Sequence, residues 1–413
     1  MSNTFKVIDM IAKEGLAIAH EKATFCSTVN RQYDESFKPQ SMGNGRIGGT
    51  LRVRDPNEYT VRTSGRVMDI QDTEETTQTI TLATQYGVDM RFTSTDLALN
   101  VDNPSEVRAF SQRFIEPAIS RLVSRIDGEC LATATKATYN VVGTAGTVVG
   151  ASGDITALGQ ARARINQGLA PKENRALQID SITMASIVNA NKELFIPDGQ
   201  IKKAFTEGYY GRSAMADFYE NDRTYNHAVG SDVTVNTSSS AGVTDGGTTI
   251  TMNSTDGNIN AGDVFTVAGV YACHPESKTS LGYLQQFVAA AASTGAVTVS
   301  PPTVLTGAKQ NVCSISGAQL ATTDFNSKTM TFVGSAGVSY RQNLMYQRDA
   351  FVFVMADMPV MDDAHKCVVR RDEGFSLRVW MASDIRNDEL LCRVDALWGF
   401  KTVRPAWSTR ITN

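Results

Sequence analysis

The chain has 413 residues, of which 42% are hydrophobic and 20% are charged. This length and balance predict two or three folded domains and exclude a wholly disordered chain. The formal net charge is −4, so no overall positive field is present to attract nucleic acid. Six cysteines without a C-x-x-C pair favour reduced thiols in a cytosolic protein over a disulfide scaffold.

Apolar residues recur at roughly helical spacing from Phe5 to Ala23, with charged residues between them. The pattern predicts a short amphipathic helix followed by an extended arm, without the uninterrupted apolar run of a signal peptide. No transmembrane stretch is expected elsewhere. Gly43, Gly45 and Gly48 formally satisfy G-x-G-x-x-G. No apolar strand precedes them, so a hinge at the base of the following loop is favoured over nucleotide binding.

The next predicted element is a projecting two-stranded loop. Apolar and basic side chains alternate from Leu51 to Arg54, and a second alternating run spans Thr79 to Leu82. Such alternation is typical of half-buried strands. The polar stretch from Asp55 to Thr76 between them is too long for a tight turn, so we expect it to project from the paired strands.

The charges of this loop are basic on its outward half and acidic on its return half. Acids that remain in solvent keep ordinary pKa values, so this pattern favours a salt-bridged or partner-docking surface over paired catalytic carboxylates. The candidate contact residues are Arg52, Arg54, Arg62, Arg66, Asp69, Asp72, Glu74 and Glu75.

A long helix is predicted after the loop. Asn103 can cap it, Pro104 suits its first position and Glu106 completes a capping box. Apolar residues then continue at spacings of three and four to about Lys136, which predicts an amphipathic helix. Pro117 lies inside this pattern and should kink the helix or split it in two.

The composition changes after Gly230. Residues 231–331 are rich in Ser, Thr, Gly and Val, with short strand-like runs between turn residues. This spacing predicts a small inserted β-barrel or sandwich. Strand-like segments resume at Ala350 to Met355, Phe375 to Met381 and Leu390 to Leu397, and together with the preceding helices they indicate an α+β protein.

Catalytic and metal sites are not favoured by the sequence. Asp362, Asp363 and His365 offer metal-ligand side chains, but three such residues on one short segment more often form a polar turn. No nucleophile motif accompanies the four histidines, so a hydrolase triad is not expected. We therefore expect no cofactor and no enzymatic activity.

Four stretches, taken in order, resemble the coat proteins of short-tailed enterobacterial phages that carry an insertion domain. None is a chemical motif, so their order carries the resemblance, and the last is the most specific. They are residues 48–54 with 79–92 and 95–97, residues 116–127, residues 207–212 with 218–220, and Cys392 to Lys401 with Arg404-Pro405. Within the predicted insertion, only Gly262-Asp263 and Val267 to Val270 look similar to the family.

The resemblance implies the tailed-phage major capsid fold with an inserted small β-barrel. Its parts are an N-terminal arm at 1–45, an extended β loop at 46–92, a peripheral domain with a spine helix and the first part of the axial domain at 93–230, the insertion at 231–331, and the remainder of the axial and peripheral domains with the closing strands at 332–413.

The function implied is that of a major capsid protein, assembled in the host cytoplasm into the icosahedral shell of the virion. Expected partners are further copies in pentamers and hexamers, a scaffolding protein, a portal protein and packaged double-stranded DNA, contacted without sequence preference. No membrane partner is expected. The alternative is another virion component, such as a tail or decoration protein, suggested by the Ser- and Thr-rich insertion.

The sequence also predicts a shell without covalent links between subunits. Some capsids of this fold join a loop lysine to a neighbour's asparagine, but no lysine occurs between Lys38 and Lys136. The loop's cations are arginines, whose guanidinium groups stay protonated and are not nucleophiles. Shells boiled in detergent without reductant should therefore give one band at 44.7 kDa. A ladder of oligomers would show that the loop has been assigned wrongly.

Overall fold

The computed structural model describes residues 23–32, 50–55, 57–61, 65, 66, 68, 70, 76–93, 116–151, 155–190, 212, 213, 216–239, 242–253, 258–361, 366–372 and 375–413. The chain forms two compact units. Unit 1 comprises Met1–Arg54, Thr77–Cys130 and Phe351–Lys401, and unit 2 comprises Asp55–Thr76, Leu131–Ala350 and Thr402–Asn413.

The described part of the chain is a mixture of helices and strands, as predicted. Its helices are α1 (Thr24–Thr28), α2 (Glu116–Ala137), α3 (Thr156–Gln167) and α4 (Ser181–Ala190). Its strands are β1 (Thr50–Arg54), β2 (Thr77–Thr81), β3 (Thr84–Thr93), β4 (Val141–Val142), β5 (Arg175–Ile179), β6 (Arg212–Ser213), β7 (Ala216–Glu220), β8 (Tyr225–Ala228), β9 (Thr234–Asn236), β10 (Gly247–Thr251), β11 (Val264–Cys273), β12 (Ser280–Ala289), β13 (Ala296–Thr303), β14 (Val312–Cys313), β15 (Thr329–Phe332), β16 (Ser339–Gln347), β17 (Phe351–Ala356), β18 (Lys366–Asp372), β19 (Phe375–Asp384), β20 (Glu389–Thr402) and β21 (Ser408–Thr412).

Helix α2 forms because apolar residues recur along it at helical spacing. Its buried apolar side chains are those of Ala118, Ile119, Leu122, Val123, Ile126, Cys130, Leu131 and Ala134. The predicted end near Lys136 is confirmed, since the helix ends at Ala137. Pro117 is its second residue, where a missing N–H removes no intrahelical hydrogen bond. A kink within α2 is therefore not required, and the predicted start at Asn103 lies outside the described residues.

Unit 1 contains a five-stranded sheet in the order β17-β20-β19-β18, and β3 also pairs with β20. The β18–β19, β19–β20 and β3–β20 pairs are antiparallel, and β3 pairs with β20 over ten residues. Along β3 the side chains alternate between exposed and half-buried, which is the pattern of a strand with one face in solvent. The strands predicted around Phe375 and Leu390 are confirmed as β19 and β20.

A buried ion pair crosses the centre of this sheet. Arg378 on β19 donates from Nη2 to Asp395 Oδ2 on β20 at 2.6 Å, and both side chains are almost fully buried. Asp395 also accepts from Arg393 Nε at 2.7 Å. Gly87 faces Asp395 across the β3–β20 ladder, and a Cβ there would overlap the carboxylate. Glycine at this position therefore lets the buried carboxylate lie between two strands.

Unit 2 contains a mixed sheet in the order β4-β21-β16-β5-β7-β6, with β8 also paired to β16. Every residue of β5 is buried, and α3 and α4 contribute apolar side chains to the same core. Strand β5 ends at Ile179. Asp180 ends it, because its main-chain carbonyl accepts from Met184 N and its carboxylate accepts from Ile182 N, which begins α4.

The strands from β9 to β15 form a second sheet of unit 2, in the order β10-β13-β12-β11-β15-β9 with β14 paired to β11. The two outer strands are joined by an antiparallel bridge between Thr237 and Met252. Ser238 N donates to Thr251 O at 2.8 Å beside it. Seventeen buried apolar residues between Val235 and Phe332 form a separate core inside this sheet. We call this sheet, whose outer strands are joined, the closed sheet; that it forms a β-barrel stays a prediction.

Arg410 joins three parts of unit 2. It lies on β21 with 1% of its surface exposed, and its guanidinium group donates to three main-chain carbonyls. Nε donates to Thr138 O at 2.7 Å, Nη2 to Lys136 O at 3.1 Å and Nη1 to Gly262 O at 2.8 Å. The first two carbonyls lie at the end of α2, where a cation is favoured, and the third lies in the turn before β11. Burial lowers the pKa of Arg410 to about 9, so it is charged at neutral pH.

Asp263, next to that turn, is a second buried attachment point. Its Oδ1 accepts from His227 Nε2 at 2.7 Å, and its Oδ2 accepts from Asn260 N at 2.7 Å and from Gly230 N at 3.1 Å. Gly230 precedes β9 and Asn260 lies between β10 and β11, whereas His227 belongs to β8 of the mixed sheet. A single carboxylate therefore fixes the chain where it enters the closed sheet.

Further contacts attach β12 to the rest of unit 2. Gln286 donates from Nε2 to Val141 O at 2.9 Å and accepts from Val141 N at 2.8 Å, so its amide pairs with β4 as a neighbouring strand would. Tyr283 donates to Gln167 Oε1 at 2.9 Å, and the guanidinium carbon of Arg164 lies 3.2 Å from the centre of its ring.

We predict that residues 231–331 fold by themselves, because they close their own sheet and enclose their own apolar core. The fragment, expressed alone, should give a strand-rich circular dichroism spectrum and dispersed amide signals in nuclear magnetic resonance. A disordered spectrum would contradict this domain boundary.

We also predict that Arg410→Met lowers the free energy of unfolding by about 3 kcal/mol, because it leaves three buried carbonyls without donors. Arg162→Met removes an exposed arginine from α3 and is the matched control, expected to change stability by less than about 0.5 kcal/mol. Urea unfolding followed by fluorescence measures both. Equal effects would show that the Arg410 contacts contribute nothing specific.

Candidate assembly interface

The base of the predicted loop is a regular two-stranded ladder. β1 and β2 pair antiparallel in the register Arg52↔Thr79 and Arg54↔Thr77. Beyond the strands, Asp55 N donates to Thr76 O at 3.0 Å, so the pairing extends to both ends of the predicted excursion. Ile80 is fully buried on one side of the ladder. The loop therefore emerges from a fixed base.

The structure describes three of the eight predicted contact residues. Arg52, Arg54 and Arg66 are all exposed. Arg62, Asp69, Asp72, Glu74 and Glu75 lie outside the described residues, so the pairing of basic and acidic halves stays a prediction. The arginines that are described present positive charge to solvent along one part of the loop.

The sequence-based reasoning missed four large apolar residues on the same loop. Tyr59, Val61, Met68 and Ile70 have between 60% and 86% of their surface in solvent. They occur as two pairs spaced by two residues, which is the spacing of side chains on one side of an extended chain. This alternation is present in the sequence, but alternation alone does not show whether the side chains face solvent or the protein interior. Large apolar side chains grouped on a projecting segment typically mark a contact surface.

The energies of the two groups differ. Covering a large apolar side chain contributes roughly 1.5 to 3 kcal/mol, whereas an exposed ion pair contributes about 0.2 to 1 kcal/mol. The four apolar residues therefore outweigh the charged ones as a source of binding energy. The charges are better suited to steering and to fixing the orientation of a partner.

The root of the N-terminal arm is held in unit 1 by a buried carboxylate. Asp127 on α2 accepts from Phe25 N at 3.0 Å, from Cys26 N at 2.9 Å and from Thr24 Oγ1 at 3.3 Å. The N–H groups of Phe25 and Cys26 are among those that the start of α1 leaves without helical partners. Asn30 then pairs with β17, donating to Phe351 O at 3.2 Å. The stretch from Thr24 to Asn30 is therefore fixed at both ends within unit 1.

Four of the six cysteines lie where thiols are unreactive. All six are free thiols, and five are buried. Burial raises the pKa of Cys26 and Cys130, and it raises the pKa of Cys273 and of Cys392 to about 11. Each of these four therefore remains protonated near neutral pH and is a poor nucleophile.

No catalytic or metal centre emerges in the described residues. Their acidic, histidine and cysteine side chains form no group of three that could hold a metal ion, and Asp362, Asp363 and His365 lie outside them. A cavity of about 330 Å³ beside α3 is lined by Thr144, Val149, Gln160 and similar residues, and none of its described lining residues is ionisable. Among the described helices, none combines the length and apolar character needed to span a membrane.

Comparison with known proteins places this geometry in context. The family model described as "P22 coat protein - gene protein 5" matches residues 103–408. No curated protein matches the chain. Among solved structures, that of Mycobacterium phage Che8 is 10% identical, with 94% of this chain and 90% of that chain covered and a TM-score of 0.49. The mature capsid of bacteriophage PhiM1 is 13% identical, with 90% and 88% covered and a TM-score of 0.44. The capsid of cyanophage P-SCSP1u is 12% identical, with 93% and 88% covered and a TM-score of 0.43.

Proposed function

The chain belongs to the P22 coat protein family, and from this premise we propose which of its surfaces build the shell. Membership identifies it as a major capsid protein that associates with itself into the icosahedral head of a phage. Its role is therefore structural, and the protein is part of the virion. The alternative of a tail or decoration protein is thereby set aside.

We propose that the extended loop is the main contact with neighbouring subunits. The observation that carries the proposal is the exposure of Tyr59, Val61, Met68 and Ile70 on a segment whose base is a regular ladder. In an isolated subunit these side chains contact water, and covering them on a neighbour would be favourable. Arg52 and Arg66 on the same segment can then pair with acidic groups of that neighbour.

The N-terminal arm is the second proposed contact. Asp127 fixes α1 against α2, and Asn30 fixes the following residues against β17. With both ends of this short stretch held, the arm beyond it starts from a constant position in every subunit. A constant starting position reduces the conformational entropy lost when such a segment binds a neighbour.

The remaining partners follow from the role of the shell. We propose that the subunits form pentamers and hexamers in the host cytoplasm, with a scaffolding protein and a portal protein as further partners. Packaged DNA would be contacted without sequence preference. This contact would be weak, because the net charge of −4 provides no strong attraction to a polyanion. The family role supports a non-enzymatic protein.

The loop proposal is tested by comparing two double variants. Val61→Asp with Ile70→Asp should abolish shell formation at concentrations where the unaltered protein assembles, because burying two added charges is costly. Arg62→Glu with Arg66→Glu should raise the required concentration only about three- to tenfold, and less at high salt. Light scattering and electron microscopy measure assembly.

Ile182→Asp, which alters an exposed isoleucine in the first turn of α4, is the matched control and should assemble normally. Circular dichroism confirms that each subunit is folded. Normal shells from the Val61 and Ile70 variant would remove the loop from the interface. Tubes or monomers from the unaltered protein would instead contradict the proposed function itself.

A further inference from the structure

A second exposed apolar feature lies on unit 1. The turn between β19 and β20 carries Ile385, which has 97% of its surface in solvent. The register Asp384↔Glu389 places this turn at the end of a long hairpin. An isoleucine so fully exposed at a hairpin tip contributes nothing to packing within its own subunit. We call residues 385–388 the tip.

Three more exposed apolar residues lie on one face of the same sheet. Leu391 is on the same side of β20 as Asp395, because the two are four residues apart in one strand. Val360 and Met361 follow β17 in a segment that crosses this face, since Arg378 donates to Pro359 O at 3.2 Å. We call Val360, Met361 and Leu391 the flank.

The crossing is fixed at a second point. Arg371 on β18 donates to Asp357 Oδ1 at 3.4 Å, and Arg371 and Arg378 lie on the same side of adjacent strands according to their register. The stretch from Asp357 to Pro359 is therefore held across the sheet by two arginines, and Val360 and Met361 follow it directly. This keeps Val360 and Met361 at a constant position on the face rather than on a loose loop.

The charges of this face indicate what kind of partner it fits. Asp89 lies 3.5 Å from Arg393, and Arg91 lies 3.2 Å from Glu389. Asp89 and Arg91 are about three-quarters exposed, so both signs are presented to solvent in near balance. A nucleic acid would meet the acidic groups and a strongly basic protein would meet the arginines. A surface of the same mixed composition, such as another copy of this chain, can place each charge opposite its counterpart.

We propose that the tip of one copy docks on the flank of the next copy, with Ile385 covered by Val360, Met361 and Leu391. This rests on the proposed function, because a shell places many copies of the same chain side by side. The contact joins two different surfaces, so it is head-to-tail and generates a ring when its rotation closes. It adds to the shell a contact that is independent of the extended loop.

The first test measures assembly of full-length subunits. Ile385→Asn should raise the concentration needed for shell formation by about tenfold, since one buried large apolar side chain per contact is lost. Its thermal unfolding should match that of the unaltered protein, because the side chain makes no packing contact in the subunit. Ile315→Asn, at an exposed turn of the closed sheet, is the matched control and should assemble at the normal concentration. Normal assembly of Ile385→Asn would overturn the proposal.

The second test identifies the neighbour. Shells of the double variant Ile385→Cys with Val360→Cys, treated with oxidised glutathione, should give a ladder of oligomers on a non-reducing gel. Either single variant and the unaltered protein, treated alike, should run at the subunit mass. Dimers from Ile385→Cys alone would indicate contact between two tips, and no ladder from the double variant would indicate no contact. Either result overturns the proposal, while intact shells in all samples leave the proposed function standing.

Discussion

The burial of one positive charge organises unit 2. Arg410 satisfies the carbonyls at the end of α2 and the carbonyl of Gly262 with a single guanidinium, which no other side chain could do with the same geometry. Taking this group out of water is costly, and the three hydrogen bonds offset that cost only when α2, β21 and the turn before β11 are all in place. The helix, the mixed sheet and the closed sheet therefore depend on a shared contact.

The same physical pattern recurs at the other fixed points. Asp263 accepts three hydrogen bonds, Asp127 accepts three and Asp395 is bound by two arginines. Each is a buried charge with at least one partner on another element of the fold. Such groups specify a unique arrangement, because any displacement leaves a charge or a donor without a partner. Apolar burial supplies the stability of the cores, while these groups determine how their elements are oriented.

This division explains what could be predicted from the sequence. The paired strands around the loop, the end of α2 and the strands of the closed sheet follow from local periodicity and turn residues, which act within a few positions of the chain. The roles of Arg410, Asp127 and Asp263 depend on partners that the fold brings together, and no local pattern marks them. The charged residues of the loop are recognisable from the sequence, whereas the exposure of Tyr59 and Ile70 is visible only in the structure. Their alternation alone is equally typical of a strand that packs inward.

The bridge between Thr237 and Met252 has a consequence for solubility. A sheet with open outer strands presents main-chain donors and acceptors that pair readily with the same strand of another molecule. Joining the outer strands leaves no such edge along the bridged stretch. A capsid protein accumulates to high concentration before its shells close, so chance strand pairing between copies would compete with correct assembly. The closed sheet removes one route to aggregation, and it does so in each subunit before any neighbour is met.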